Sequence, residues 1–189
     1  MNLILLGPPG SGKGTQAKLL QQGLGLTHIS TGDILRQAVA DGTPLGREAQ
    51  RLMSAGQLVP DRVMNELVRE RLSNGVAGGF LLDGFPRTVE QAQALEKILA
   101  ESGQKIDRVV SIRVAREELI RRLLERARLE GRSDDTAEVI DKRLEVYDRQ
   151  TLPVTDWYRR RSLMVEVDGG RTIEEVLSDI RGRLQPVGS

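Results

Sequence analysis

The chain has 189 residues, enough for one well-buried domain and short for two. Its 39% hydrophobic and 29% charged residues, with a net charge of +1, describe an ordinary globular composition, so charge alone implies neither a nucleic-acid partner nor a membrane surface. Without cysteine it can form neither a disulfide nor a thiolate zinc site, and a single histidine, His28, cannot make a metal cluster by itself; any metal it uses must take oxygen ligands.

In chain order, the first predicted element is a strand at Leu3–Leu6. This apolar run is too short for a signal-peptide core and has no basic residues ahead of it, and no other stretch could span a bilayer, so a cytoplasmic protein is expected. A helix follows from Lys13 to Gln22, then a strand at Thr27–Ile29. Residues 30–60 insert two short helices, one of them placed at Arg47–Ala55. A helix at Arg62–Ser73, a strand at Phe80–Leu82, a helix at Thr88–Ser102 and a strand at Val109–Val114 come next. Helices at Glu117–Arg128 and Ala137–Arg149 flank the polar break LEGRSDD at 129–135. A strand at Met164–Val167 and a helix at Ile173–Leu184, opened by a Thr172/Glu175 capping box, complete the pattern. The alternation predicts an α/β fold: a parallel five-stranded sheet with helices on both faces, as one domain over residues 1–189. Residues 30–60 and the polar break at 129–135 are candidate mobile flaps over a site at the sheet edge, and only the final PVGS reads as a disordered tail.

GPPGSGKGT at residues 7–15, directly after the first strand, carries four glycines and two prolines that cannot build a core. A strand, a glycine-rich turn and a helix gather unhindered N–H groups and the positive end of a helix dipole around one point, a cradle for phosphate, to which Lys13 adds a full charge. The strict phosphate-loop pattern is met by Gly7, Gly12 and Lys13, whereas Gly14 stands at the Ser/Thr position and Thr15 comes one later. The loop by itself reads "nucleotide" and no more.

This variant of the loop resembles that of adenylate kinases and their nucleoside-monophosphate kinase relatives, and further motifs follow in order. STGDILR at 30–36 looks like the family's monophosphate-binding segment, GQLVPD at 56–61 like its adenine-holding turn, and LLDGFPRTVEQA at 81–92 like its central strand and phosphate arginine. RLLERARLEGRSDD at 122–135 and KRLEVY at 142–147 look like the lid and its arginines. The resemblance runs from residue 1 to about residue 184 and implies a P-loop nucleoside-monophosphate kinase architecture with the short lid, without the long zinc-capable insertion. It implies reversible conversion of MgATP and AMP to two ADP by a monomer, with ATP, AMP and ADP as partners and neither nucleic acid nor membrane.

Phosphoryl transfer between nucleotides is mostly positioning and charge stabilisation, for which arginine's planar, permanently charged fork is suited. The chain has 23 arginines against 5 lysines, mostly solvated helix surface, so each must be argued separately. Arg87 lies just past a strand end, where ligands of open α/β sheets gather, and Asp83 ends that strand, where a carboxylate can hold Mg²⁺ through waters; the bland alternatives are a turn charge and a turn-forming aspartate. By resemblance, Gly10, Ser11, Gly12, Lys13, Gly14 and Thr15 hold the ATP phosphates, with Arg122 and Arg126 on the ATP side and the Arg171 backbone carbonyl meeting the donor adenine. Thr31, Arg36, Gln57, Leu58, Val59, Gly84, Phe85, Pro86 and Arg87 meet AMP, while Arg132 and Arg143 bridge the transferring phosphate. Lys13, Asp83, Arg87, Arg122, Arg132 and Arg143 are then the catalytic set. Gln91 has two readings, as partner of Thr88 in a T-x-x-Q capping box and, by resemblance, as reader of the AMP adenine edge. His28 reads as a satisfied structural histidine, Trp157 and Tyr158 as packing residues, and Arg121 and Arg128 as solvated charges.

The nearest rival is a pyrimidine-accepting relative, which usually carries asparagine after GFPR and at the base-reading position, where this chain has Thr88 and Gln91. A guanine-nucleotide switch would need Asn-Lys-x-Asp, and none of Asn2, Asn65 and Asn74 precedes a lysine. A nucleic-acid module is disfavoured by the near-zero net charge and 3% aromatic content.

Overall fold

Three of the five strands carry short apolar runs that parallel pairing buries on both faces. In the computed structural model, which describes residues 1–76, 78–130 and 136–184, the five are β1 Leu3–Leu6, β2 Thr27–Ser30, β3 Phe80–Asp83, β4 Arg108–Arg113 and β5 Met164–Asp168. All pair in parallel in the order β2-β3-β1-β4-β5. Every residue of β1 and β3 is buried. Alternation divides β1 between two cores: Ile4 and Leu6 face one, with Ile29, Phe80 and Leu82, while Leu3 and Leu5 face the other, with Leu81, Val110 and Ile112.

Helices α1 Lys13–Leu24 and α9 Ile173–Leu184 cover the second face. The first is covered by α2 Thr31–Ala40, α3 Pro44–Ser54, α4 Asp61–Ser73, α5 Val89–Glu101 and α8 Leu152–Arg159. Between them in sequence, α6 Arg116–Glu130 and α7 Ala137–Val146 pack Leu119 and Leu123 against Ile140 and Leu144 as a third cluster. No helix among the described residues is long and apolar enough to cross a membrane.

Most helix starts follow from local chemistry. Ser30, Thr43, Thr88 and Thr136 cap α2, α3, α5 and α7, each hydroxyl accepting from the backbone N–H three residues on. The expected Thr172/Glu175 capping box is present: Glu175 N donates to Thr172 Oγ1 at 3.3 Å and Thr172 N donates to Glu175 Oε2 at 3.0 Å. The second helix expected within residues 30–60 is α2, which packs tightly on α3; a Cβ at Gly46 would lie 1.9 Å from Ala38 O.

One expectation fails. The helix expected over Ala137–Arg149 leaves α-geometry at Val146, passes through a π-turn at Tyr147–Thr151 and resumes as α8. Pro153 explains the break, since its ring has no N–H to donate and would clash with the Arg149 carbonyl in a continuous α-helix. The segments expected as a lid and a loose tail fall partly on residues 131–135 and 185–189, outside the described residues.

Candidate active site

Register brings the site together. Leu5 of β1 and Ser30 of β2 both pair with Asp83 of β3, so the chain leaves these strands at one level and the loops starting at Gly7 and Gly84 lie beside the start of α2 at Thr31. Ligands of open α/β sheets bind at such carboxyl ends.

The phosphate loop leads into α1 through Gly10 and Gly12, whose φ values of 83° and 90° favour glycine. Unlike α2, α3, α5 and α7, α1 has no side-chain cap, and its first turn carries no acid. Its unsatisfied N–H groups and dipole therefore remain for an anion, and Gly12, Gly14 and Thr15 are exposed around them. Ser11, by contrast, is only 3% exposed. The Lys13 ammonium turns inward and donates to Gly7 O at 2.7 Å and Pro8 O at 3.0 Å. Burial lowers its pKa to about 8; Asp83 opposes that, whereas the positive charges of Arg87, Arg143 and Arg126 reinforce it. Four groups proposed from the sequence thus share the electrostatic field of one amine.

Asp83 is 9% exposed, beside α1: a Cβ on Gly14 would sit 3.7 Å from its Oδ2. His28 Nε2 lies 3.8 Å from the same oxygen and has no hydrogen-bond partner, so this histidine is structural in position but not satisfied as expected. Among the described residues no cluster of three or more His, Cys, Asp or Glu could hold a metal ion. One carboxylate beside an open phosphate cradle suits Mg²⁺, which keeps its waters and relies on substrate phosphates.

In front of β1 and β3 opens a cleft of roughly 1030 Å³, mouth included, with Lys13 at its base. Thr31, Gly32 and Arg36 of α2 form one wall, Gln57, Leu58 and Val59 another, and Gly84, Pro86, Arg87, Gln91 and Arg143 line the rest. Thr31 Oγ1 donates to Gly84 O at 2.9 Å and Arg87 Nε donates to the same oxygen at 2.8 Å, fixing the arginine stem at the strand end. Arg36 pairs with Asp33 at 2.6 Å. Gln91, 1% exposed, accepts at Oε1 from Arg87 N at 2.7 Å and donates from Nε2 to Asp61 Oδ1 at 2.8 Å. Its own N–H donates to Thr88 Oγ1 at 3.1 Å.

Other expected residues lie elsewhere. Phe85 is fully buried in the core and, unlike Gly84, Pro86 and Arg87 beside it, does not line the cleft. Arg122 donates to Glu118 Oε1 at 2.6 Å and to Gly169 O at 3.0 Å, away from the cleft lining. With Arg121 as a second partner, Glu118 is held down at a pKa of about 2 by these hydrogen bonds. The Arg171 guanidinium pairs with Asp179 at 2.6 Å, turned onto α9. Arg132 falls outside the described residues. Arg121 and Arg128 are exposed, and Tyr158 is fully buried, as expected. The cleft also uses side chains that the sequence did not mark: Leu35, Met53 and Met64 as apolar wall, and Tyr147 and Thr151 from the π-turn.

The family model described as adenylate kinase matches residues 5–163. The chain belongs to the adenylate kinase family. It is 51% identical to an adenylate kinase of Kocuria rhizophila over 184 residues, covering 97% of this chain and 98% of that protein. An adenylate kinase of Thermus thermophilus is 50% identical over 182 residues, covering 96% of each chain. One from a Nocardioides species is 49% identical over 181 residues, covering 95% of each. Membership in the adenylate kinase family accounts for a sheet, a phosphate loop and a cleft-facing arginine set in one chain.

Proposed function

We propose that this chain catalyses the reversible reaction MgATP + AMP = 2 ADP by direct in-line phosphoryl transfer, without a covalent enzyme intermediate. The observation that carries the reading is the uncapped start of α1 with Lys13, opening onto a cleft walled by Arg36, Arg87 and Arg143. ATP phosphates occupy the loop formed by Gly10, Ser11, Gly12, Lys13, Gly14 and Thr15, and the Lys13 ammonium follows the charge that develops on the transferring group. AMP occupies the cleft with its phosphate between Arg36 and Arg87 and its base between the 57–59 segment and Gln91. The apolar wall of Leu35, Met53 and Met64 suits a flat base, and the Gln91 amide retains one acceptor and one donor site for its edge.

Arg143, Arg122, Arg126 and Arg132 complete the charge around the phosphates, and the Arg171 backbone flanks the donor adenine. Mg²⁺ bound with ATP neutralises phosphate charge in the transition state, and Asp83 is the residue that would hold its waters. Residues 30–59 and 126–136 act as AMP flap and short lid, excluding water that would otherwise take the phosphate. The enzyme works as a cytoplasmic monomer that needs no zinc.

A coupled assay with MgATP and each of AMP, CMP, UMP and GMP tests the reading. AMP should be the preferred acceptor by at least about a hundredfold in kcat/KM, since a mismatched buried hydrogen-bond pair costs this much or more. Comparable rates with CMP or UMP would point instead to a pyrimidine-accepting relative.

A further inference from the structure

The Gln91 amide is held at both ends by groups that leave it one orientation. Arg87 N–H, a donor, meets Oε1 at 2.7 Å, and Asp61 Oδ1, an acceptor, meets Nε2 at 2.8 Å. The two ends of an amide are nearly isosteric, so only such partners decide which faces which way. Asp61 is itself held. Thr88 Oγ1 accepts from Gln91 N at 3.1 Å and donates to Asp61 Oδ2 at 2.8 Å, so each carboxylate oxygen accepts a hydrogen bond from the start of α5. Asp61 begins α4, directly after the segment that walls the cleft, and does not line the cleft itself.

We propose that Asp61 is a positioning residue which fixes the direction of the Gln91 amide and thereby makes the cleft accept a 6-aminopurine and refuse a 6-oxopurine. This rests on the reading of Gln91 as the amide that faces the acceptor base. Adenine presents a ring-nitrogen acceptor and an exocyclic N–H donor side by side, whereas hypoxanthine and guanine present a ring N–H and an exocyclic oxygen in the same two places. For one pose of the base, the two purine classes require opposite amide orientations. Reversing Gln91 would set its Oε1 against the Asp61 carboxylate and its NH₂ against Arg87 N–H, so the site rejects the oxopurine by repulsion as well as by a missing bond. A carboxylate suits the task because it only accepts; an amide or hydroxyl at residue 61 could donate to the reversed Gln91, which would remove this half of the discrimination and leave the Arg87 N–H alone to oppose reversal.

The test uses the full chain carrying Asp61→Asn, with Asp61→Ser as a second substitution that also removes the acceptor-only group. AMP and IMP, which share ribose and phosphate, are compared as acceptors at saturating MgATP and well below the melting temperature. The AMP:IMP ratio of kcat/KM should fall at least about tenfold, mainly through KM, while the KM for ATP changes less than twofold. An unchanged ratio accompanied only by a lower melting temperature would mean that Asp61 merely ties α4 to α5, and overturns the proposal. Gln91→Ala separates the two levels. If it leaves the ratio intact, the base-reading role of Gln91 fails and the proposal with it. If it collapses the ratio while both Asp61 variants keep it, the reading of Gln91 stands and the role given to Asp61 is wrong.

Discussion

Replacing Lys13 by methionine removes the charge while keeping most of the stem. In the fold the ammonium makes bonds of 2.7 Å to Gly7 O and 3.0 Å to Pro8 O, yet burial and neighbouring arginines bring its pKa from 10.5 to about 8. That displacement corresponds to a penalty of roughly 3 kcal/mol on the charged form. The shift is already net of the two bonds; relieving it in Lys13→Met is offset by leaving Gly7 O and Pro8 O without that donor, at about 1 kcal/mol each or more, so the variant should nearly break even at neutral pH and melt within about 4 °C of the parent. Turnover should fall at least about a hundredfold, because the lost charge acts on the transition state. The pH dependence has a definite sign. Below about pH 8 both folded and unfolded chains carry the proton and the penalty is complete. As pH rises from about 8 towards 10.5 the folded state releases the proton first, the unfolded chain binds more protons, and the parent gains stability that the variant does not. Coupled ADP production together with thermal melts at several pH values reads both effects. A variant retaining more than about a tenth of the parent rate, or a parent whose stability relative to the variant does not rise over that window, would overturn the role given to the Lys13 charge.

Arg87→Lys should raise the KM for AMP at least about tenfold with little change for ATP, since an ammonium cannot bond Gly84 O and grip a phosphate with one planar fork; an unchanged AMP constant in steady-state kinetics would count against it. Gly46→Ala should cost at least about 2 kcal/mol by chemical denaturation, because its Cβ would lie 1.9 Å from Ala38 O, whereas Gly14→Ala, with 3.7 Å to its nearest neighbour, should not destabilise the fold. Dialysis against a strong chelator should abolish turnover, Mg²⁺ alone should restore it, and elemental analysis should find no stoichiometric zinc; activity that persists without divalent cation would refute the Mg²⁺ reading.

The phosphate loop could be read from the sequence because its chemistry is contiguous: glycines, lysine and the following helix are fixed by neighbours in the chain. The walls contributed by Thr31, Arg36, residues 57–59 and Arg87 come from separate elements, and a resemblance was needed to join them before strand register did so in space. What stayed hidden depended on side-chain direction or action at a distance. Phe85 sits in a motif that borders the cleft, but its ring points into the core. Leu35, Met53 and Met64 look like any apolar helix positions until packing leaves one side of them uncovered. Tyr147 and Thr151 continue the helical repeat of α7, and the proline that opens the π-turn lies after them, so periodicity carried the helix straight through. The Asp61–Gln91 bond joins residues 30 apart and has no short-range signature.

The common level at which β1, β2 and β3 end makes the protein unequally tolerant of length changes. Deleting one residue inside Phe80–Asp83 would slide Asp83 off its pairing with Leu5 and Ser30 and exchange the two cores' side chains along that strand, removing a wall of the cleft and its packing in one step. The turn after α5, at residues 102–105, feeds β4 from its amino end, opposite the cleft, and is exposed throughout. Added residues there cost the loop-closure entropy, which grows slowly with length, and at most the few bonds the turn makes, such as Asn2 Nδ2 to Lys105 O at 2.9 Å. Natural variation in chain length, and any peptide tag inserted by design, should therefore be accommodated at that end of the sheet and excluded from the short strands whose ends define the site.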